Sequence, residues 1–555
     1  MALAVLLSVV QLDPGAHGQS PEIQTEGPPE PSIGPDSGQP ERASLRVSRA
    51  KVPPPVDASA AAPRRGDVGK TFEGFGFDDN PVENINPATG AGVRFIPPDP
   101  IGAAGHSRVI GIVNSMIEAR TKSGQLKWRQ GLRDFFAPLS PTSFPFDPKI
   151  VYDQYEDRFV VVALEQITGT ASVSPTNVSR ILLAVSRDGN PQGHTAGHWR
   201  FLAIDSKVVI PRPVTLFDHW ADYPGFEVDE DAVYVTANMF TFVPFGSFGG
   251  VRLWIVHKGA GTGGFYDGGA ATLTLHNPYA SAGLATTTMP AQVFGDGGAG
   301  AGIGTYLVSY SGLSDGTDEY VQVVRVDNPL TAPTFTQQFV NIGNIENFAP
   351  AALPDAPQPG VDLNGIPRTI EVNDRRALDA VWRDDSLWTV AEINPVSGPD
   401  AGQTTAHWWK LDTTVPAAIA PDQQGDIGGE DLAPGTFTYY PAVAVNRDGD
   451  AKFGFSASAP TMFAGAFVAG RQVDDPPGTV QPAETVHAGE DFYYRRFGGA
   501  NNRWGDYSGI ALDPSNEKFF WVFNEFADQR GTVLSAFPDQ DGRWGTAWGR
   551  SQFKH

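Results

Sequence analysis

At 555 residues, with 41% hydrophobic and 19% charged residues, the chain is long enough to bury a sizeable core. A formal charge of −23 excludes the concentrated Lys/Arg surface that a nucleic-acid partner requires. Cysteine is absent, which excludes a disulfide framework, thiolate metal sites and a cysteine nucleophile.

The chain opens on an apolar run, MALAVLLSVV, too short to span a bilayer. Ala16-His17-Gly18 has the small-residue character of a cleavage site, so residues 1–18 are expected to be a signal peptide and the protein to be secreted, extracellular or periplasmic. The usual basic start is missing. Residues 19–67 are expected to be a disordered linker, Pro-, Gly-, Ser- and Glu-rich as far as about Asp57. No later stretch has the length and apolarity of a membrane helix, so no membrane insertion is expected, and the chain is expected to act as a monomer.

From 68 to 555 one pattern recurs seven times. A polar or proline-containing approach leads into a short apolar strand, a tight polar turn, and a second strand richer in aromatic or β-branched residues. The copies begin with PPDPIGAAGHSRVIGIVNS (97–115), FDPKIVYDQYEDRFVVVALE (146–165) and DYPGFEVDEDAVYVTANMF (222–240). MPAQVFGDGGAGAGIGTYLVSYS (289–311) and NDRRALDAVWRDDSLWTVAEIN (373–394) follow. YYPAVAVNRDGDAKFGFSAS (439–458) and DYSGIALDPSNEKFFWVFNEF (506–526) close the series. Turns such as RDDS and RDGD suit hairpins. Third strands follow most copies, and helical periodicity is scarce. The expectation is an all-β fold, a single β-propeller domain of seven blades. A closed ring has no open edges, so residues 68–95 are a candidate outer strand for the last blade.

In a propeller, loops entering the innermost strand and leaving the second strand share one face. The entry positions are Asp99, Asp147, Asp222, Tyr223, Asp374, Tyr440, Asp506 and Tyr507. The exit positions are Asn114, Glu165, Asn238, Glu392, Asn524 and Glu525. Such a convergent polar ring is the default binding site, although Asp and Asn also pin turns. Asp99, Asp147 and Asp374 are candidate ligands for calcium, which takes six to eight oxygens in irregular geometry. His219, Asp222, Asp506 and Glu525 are candidate catalytic groups for glycoside cleavage. Arg503, Trp220, Trp504, Tyr223, Tyr440, Tyr507, Glu165, Asn238 and Glu392 are candidate substrate-binding residues.

LFDHWADYP (216–224) and NNRWGDYSG (501–509) share W-x-D-Y, which suits a repeated structural corner, with His219 and Arg503 as the residues that differ. SRDGNPQGHTAGHW (186–199) shares Ser186, Asp188 and Gly189 with the Asp-box turn of sialidase-like propellers, but Trp199 falls too far along. Hydrolase, zinc-protease, P-loop, dinucleotide and EF-hand signatures give no convincing match.

The phrases PPDPIGAAG (97–105), FDPKIVYDQYEDRF (146–159), WADYPGFEVDEDAVYVTANMF (220–240), RWGDYSGIALDPSNEKFFWVFNEF (503–526) and WGTAWG (544–549) together resemble a family of secreted bacterial β-propeller proteins. The resemblance spans about 97–550. It implies an exported propeller and supplies no catalytic residue. One departure is PPDPIGAAGHS, where the family pattern reads more like PPDTxGAVGPxH. Three functions fit these readings. The first is capture of an extracellular polymer at the acidic face, a glycan before a protein, with calcium as a candidate cofactor. The second is a glycoside hydrolase or polysaccharide lyase, and the third an envelope scaffold or adhesion module.

Overall fold

The computed structural model describes Ile23–Glu26 and residues 66–554, apart from 87, 170, 213–214, 244–245, 280–286, 296, 298–301, 312 and 348–351. The expected signal peptide and most of the expected linker lie outside the described residues. Two described pieces fall within the linker's expected bounds. Ile23–Glu26 pairs in parallel with Val93–Ile96, and Gly66 and Asp67 already belong to the strand Gly66–Gly76.

Seven sheets form the blades of a propeller. Blade 1 holds Ile101–Ala104, Arg108–Val113, Met116–Thr121 and Leu126–Gly131, and blade 2 holds Phe146–Asp153, Arg158–Ile167, Val178–Ser186 and Trp199–Asp205. Blade 3 is built on the long strand Thr215–Val228, followed by Ala232–Thr241, Phe248–His257 and Leu273–His276, with Val208–Arg212 on its free edge. Blade 4 holds Thr288–Pro290, Ile303–Ser309, Glu319–Asp327 and Thr334–Gly343. Blade 5 holds Ala377–Arg383, Ser386–Ile393, Thr405–Asp412 and Ala420–Ile427, and blade 6 holds Phe437–Val445, Ala451–Ala459, Met462–Arg471 and Gln481–His487. Blade 7 holds Gly509–Leu512, Phe520–Asp528 and Arg543–Phe553, and takes its outer strand, Gly66–Gly76, from the other end of the domain. The ring therefore closes through antiparallel pairing of the first and last strands of the propeller.

The second strands are continuous apolar runs, RFVVVALEQI (158–167) and AVYVTANMFT (232–241), because neighbouring blades cover both of their faces. The core lies between blades. Val160, Val162 and Leu164 of blade 2 pack with Val233, Val235 and Trp254 of blade 3. Trp388 and Trp408 of blade 5 pack with Phe453 and Phe455 of blade 6. All 12 tryptophans are buried, mostly in such seams.

Blade 4 departs from the repeat. Its inner strand is only three residues long, and the chain then crosses so that Gln292–Phe294 pairs in parallel with Val381–Arg383 of blade 5. One short segment thus belongs to two blades.

Candidate functional site

The seven inner strands bring their entry residues to one mouth, and a backbone device recurs there. In blade 2, Asp147 and Pro148 lie opposite the single residue Ala163; in blade 3, Tyr223 and Pro224 lie opposite Ala237; in blade 6, Tyr440 and Pro441 lie opposite Phe455. Each is a β-bulge whose first residue is left-handed, with φ of +47° at Asp147, +48° at Tyr223 and +50° at Tyr440. Asp99, which precedes Pro100, has φ +49°. A residue before proline normally stays extended, and a left-handed non-glycine residue costs about 1–3 kcal/mol. Proline suits the second bulge position because it has no N–H to leave unpaired. The bulge turns the strand as it enters the ring and re-aims the side chain before proline.

Hydrogen bonds from a neighbouring blade hold these strained residues. Asn114 Oδ1 accepts the N–H of Asp147 at 2.9 Å, and Asp147 Oδ2 accepts the N–H of Tyr223 at 3.1 Å. Glu392 accepts the N–H of Tyr440. Asp99 Oδ1 accepts the N–H of Asp506 at 2.8 Å, while its Oδ2 accepts the side-chain amide of Asn114 at 2.6 Å. The acidic ring is in large part an inter-blade latch.

Two tyrosines cross the channel just inside this ring. Tyr223 donates to the carbonyl of Asp506 at 2.8 Å, joining blades 3 and 7, and Tyr507 donates to the carbonyl of Pro148 at 3.0 Å, joining blades 7 and 2. Their rings meet edge-on with centroids 5.9 Å apart. The Arg376 guanidinium lies 4.4 Å from the Tyr223 ring, and the Lys149 ammonium lies 4.4 Å from the Tyr507 ring. Both tyrosines and both cations are buried.

Outside the plug sits a charge-compensated rim. Asp506 accepts from Arg503 at 2.7 Å and from Asn373 at 2.6 Å. Arg503 also approaches Glu371 at 3.7 Å, and Asn501 donates to Glu371. Arg376 pairs with Asp374 at 2.6 Å. Glu371, Asn373, Asp374 and Arg503 are half-buried and Asn501 is exposed. Two long connections meet over this side of the mouth. Gln358 exchanges two hydrogen bonds with the backbone of Tyr493, and Asn502 donates to the carbonyl of Thr369.

Burial raises the pKa of Asp506, opposed by Arg503 and Arg376. Glu525 is 1% exposed, and burial, with Asp99 and Asp506 adding to it, pushes its carboxyl well above the usual range. Among the described residues its Oε2 has no hydrogen-bond partner. Glu392 behaves alike: burial raises it well above the usual range, and its own Oε2 has no partner among the described residues.

The other expected site residues fall as follows. His219 is fully buried in the sheet of blade 3, with Nδ1 2.9 Å from the Phe217 carbonyl. Asp222, three residues along the same strand, points to the opposite face, so this strand does not pair the two as an acid–base couple. Trp220 packs on Phe146 of blade 2, and Trp504 donates to Ser456 of blade 6 at 3.1 Å, so both fill seams with the preceding blade. Glu165 is buried and pairs with Arg180 while accepting the N–H groups of Thr142 and Ser143. Asn238 donates to Thr287 at 2.9 Å. Tyr440 donates to the carbonyl of Glu371 at 3.2 Å. No group of three or more His, Asp or Glu suited to a metal occurs among the described residues, and the expected calcium ligands Asp99 and Asp147 serve as amide acceptors. Glu371, Asn373, Arg376 and Lys149 are site residues that the sequence reading missed. Lys149 stands directly after the bulge in FDPKI, and reading the position after each entry proline would have flagged it.

No family model and no curated protein matches the chain. Solved structures do resemble it. A protein of unknown function from Dyadobacter fermentans is 12% identical, with a TM-score of 0.29 over 63% of this chain and 98% of that one. Trypanosoma rangeli sialidase is 8% identical, with a TM-score of 0.33 over 81% of this chain and 57% of that one. An ACO/RPE65 chimera is 11% identical, with a TM-score of 0.35 over 73% of this chain and 74% of that one. The chain thus spans little more than half the length of the sialidase. Likenesses of this order say nothing about substrate.

Proposed function

We propose that this is an exported, non-catalytic binding propeller that captures a hydroxyl-rich extracellular polymer, a glycan, on the rim of its mouth. The observation that carries the reading is the half-exposed set of Glu371, Asn373, Asp374 and Arg503 lying over a channel closed by Tyr223 and Tyr507. Planar carboxylate, amide and guanidinium groups suit paired hydroxyls, and Tyr223 and Tyr507 cross between blades beneath them. Ring stacking has little part in it. Of the 14 tyrosines only Tyr155 is not buried, and no exposed large hydrophobic among the described residues is aromatic. Export rests on the signal-like residues 1–18.

The test is thermal unfolding of the full chain against neutral and acidic oligosaccharides, calcium and EDTA. The expected result is an upward shift with a saccharide that Arg503→Ala and Glu371→Gln each abolish. A panel without a saccharide shift overturns the proposal, and so does a shift with calcium alone.

One observation favours hydrolysis as a second reading. Burial raises the Glu525 carboxyl well above the usual range, with Asp99 and Asp506 adding to the rise, and Asp506 itself pairs with Arg503. Product release from a saccharide that binds, lost in both Glu525→Gln and Asp506→Asn, would establish it over simple capture.

A further inference from the structure

On the face opposite the mouth, the seam between blades 2 and 3 ends in a group of arginines. Arg158 opens the second strand of blade 2, Arg187 directly follows its third strand, and Arg200 lies in its outer strand. The register carries all three to one side of the sheet. Val160 stands opposite Val185, and Val185 opposite Arg200, while Arg158 and Arg187 each lie two residues from one of those valines. The ladder continues through Arg187, whose N–H donates to the carbonyl of His198 at 2.8 Å. Val160 and Val185 pack against blade 3, so the arginines face blade 3 as well.

There they meet the short turn Phe265–Asp267 in the connection between the third and outer strands of blade 3. Arg158 and Arg200 both donate through Nη1 to one oxygen, the carbonyl of Tyr266, Arg158 at 2.6 Å. Their terminal nitrogens therefore lie within two hydrogen-bond lengths of each other, about 6 Å at most. Arg187 donates to the carbonyl of Ala196 at 3.1 Å. Among the described residues no ion pair joins any of the three to a carboxylate, and Arg200 Nε is buried without a partner. Asp267 is exposed, and its Oδ2 accepts the N–H of Gly263 at 2.8 Å, which turns it back onto its own loop. Elsewhere this acidic chain pairs its arginines, Arg94 with Asp78, Arg180 with Glu165 and Arg325 with Asp327. A guanidinium carries five N–H groups, so one carbonyl apiece leaves the cluster short of both acceptors and negative charge. Burial, with Arg158 and Arg187 adding to it, lowers the pKa of Arg200, opposed by Asp267. Arg187 is exposed and Arg158 and Arg200 are half-buried, so the cluster is open to solvent.

We propose that Arg158, Arg187 and Arg200 bind a tetrahedral dianionic oxyanion, a sulfate or phosphate group, at the seam between blades 2 and 3. The planar guanidinium fork matches the oxygens of such a group and meets them with charge-assisted hydrogen bonds. Two negative charges among three positive ones offset most of the repulsion, whereas a carboxylate offsets less and a metal ion adds to it. The site lies at the other end of the ring from the rim and does not depend on what the rim binds.

The experiment is calorimetric titration and thermal unfolding of the full chain with sodium sulfate and sodium phosphate, against sodium acetate and sodium chloride at equal ionic strength. Glucose 6-sulfate and glucose 6-phosphate are titrated beside them. Tighter binding of an ester assigns the group to a saccharide, and equal or weaker binding assigns it to the free ion. At a hundredfold excess over its dissociation constant, the bound oxyanion is expected to raise the midpoint by roughly 3 °C, and acetate and chloride to leave it in place. Arg200→Gln and Arg187→Gln are each expected to weaken binding at least about tenfold. Arg187 is exposed, and losing one of three like charges relieves repulsion, so Arg187→Gln without anion is expected to melt no lower than the unmutated protein. Slower modification of Arg187 by phenylglyoxal when sulfate is present, followed by mass spectrometry, is a readout that needs no variant. A flat response to both ions and both esters overturns the proposal. So does an equal response to acetate or chloride, an affinity unchanged in Arg187→Gln and Arg200→Gln, or sulfate that leaves Arg187 equally reactive.

Discussion

The N–H of Asp506 donates to the carboxylate of Asp99 at 2.8 Å, joining residues 407 apart in sequence and tying blade 7 to blade 1. The same carboxylate holds Asn114, which in turn holds the N–H of Asp147 in blade 2. One side chain therefore anchors contacts among three blades. Asp99→Ala leaves two buried donors without their acceptor, at about 1–3 kcal/mol each. The expected loss, read from urea unfolding at unchanged m, is about 3 kcal/mol. Asp374→Ala takes the carboxylate from Arg376, whose side chain is 3% exposed, and is expected to cost about 3 kcal/mol.

The pH dependence follows from Glu525. An ordinary glutamate gives up its proton near 4.5, whereas burial beside Asp99 and Asp506 keeps that of folded Glu525 to a much higher pH. Between the two values the folded chain holds a proton that the unfolded chain has lost. The contribution of Glu525 to stability is therefore complete below about 4.5 and declines as pH rises toward the folded value. Glu525→Gln removes this dependence. Its stability relative to the unmutated protein is expected to climb as the pH rises above about 5, by at most about 1.4 kcal/mol per unit, in parallel urea titrations.

Tyr223 tests the plug. Tyr223→Phe removes only the hydroxyl bonded to Asp506 and is expected to cost about 1 kcal/mol. Tyr223→Ala also opens a cavity and strips the ring from beside Arg376 and Lys149, so about 3–5 kcal/mol is expected. Denaturant midpoints for the two variants separate the hydrogen bond from the packing.

Ring closure is tested by shortening the chain to begin at residue 77. This removes the strand that covers Arg543–Phe553 and exposes a long sheet edge with buried tryptophans behind it. The expected outcome is a lower melting temperature together with concentration-dependent association, measured by light scattering.

Much of the fold was legible because the repeat carries its own physics. Hairpin turns, doubly buried second strands and x-Pro entries recur in most blades. The outer strand of blade 7 could be placed near 68–95 because an unclosed ring leaves an edge, and it occupies 66–76. Blade 4 was less legible, since a three-residue inner strand and a parallel crossover have no periodic signal. At the site, the shared W-x-D-Y marks equivalent positions, since Trp220 and Trp504 each pack into the seam with the preceding blade. The roles of Asp99, Asp147 and Glu392 could not be read, because the amides they accept come from other blades. Lys149 looks like any surface lysine until the bulge beside it turns the strand into the channel.

The pairing of Gly66–Gly76 with Arg543–Phe553 also has a consequence for biosynthesis. Blade 5 borrows only the short Gln292–Phe294 from the stretch just before it, whereas the seventh blade needs residues from both ends of the domain. A ribosome or translocation pore releasing this chain from its N-terminus holds back the partner of the first strand until Arg543–Phe553 emerges. The ring therefore cannot shut before its last strand is out, and locking of the native state waits on that strand.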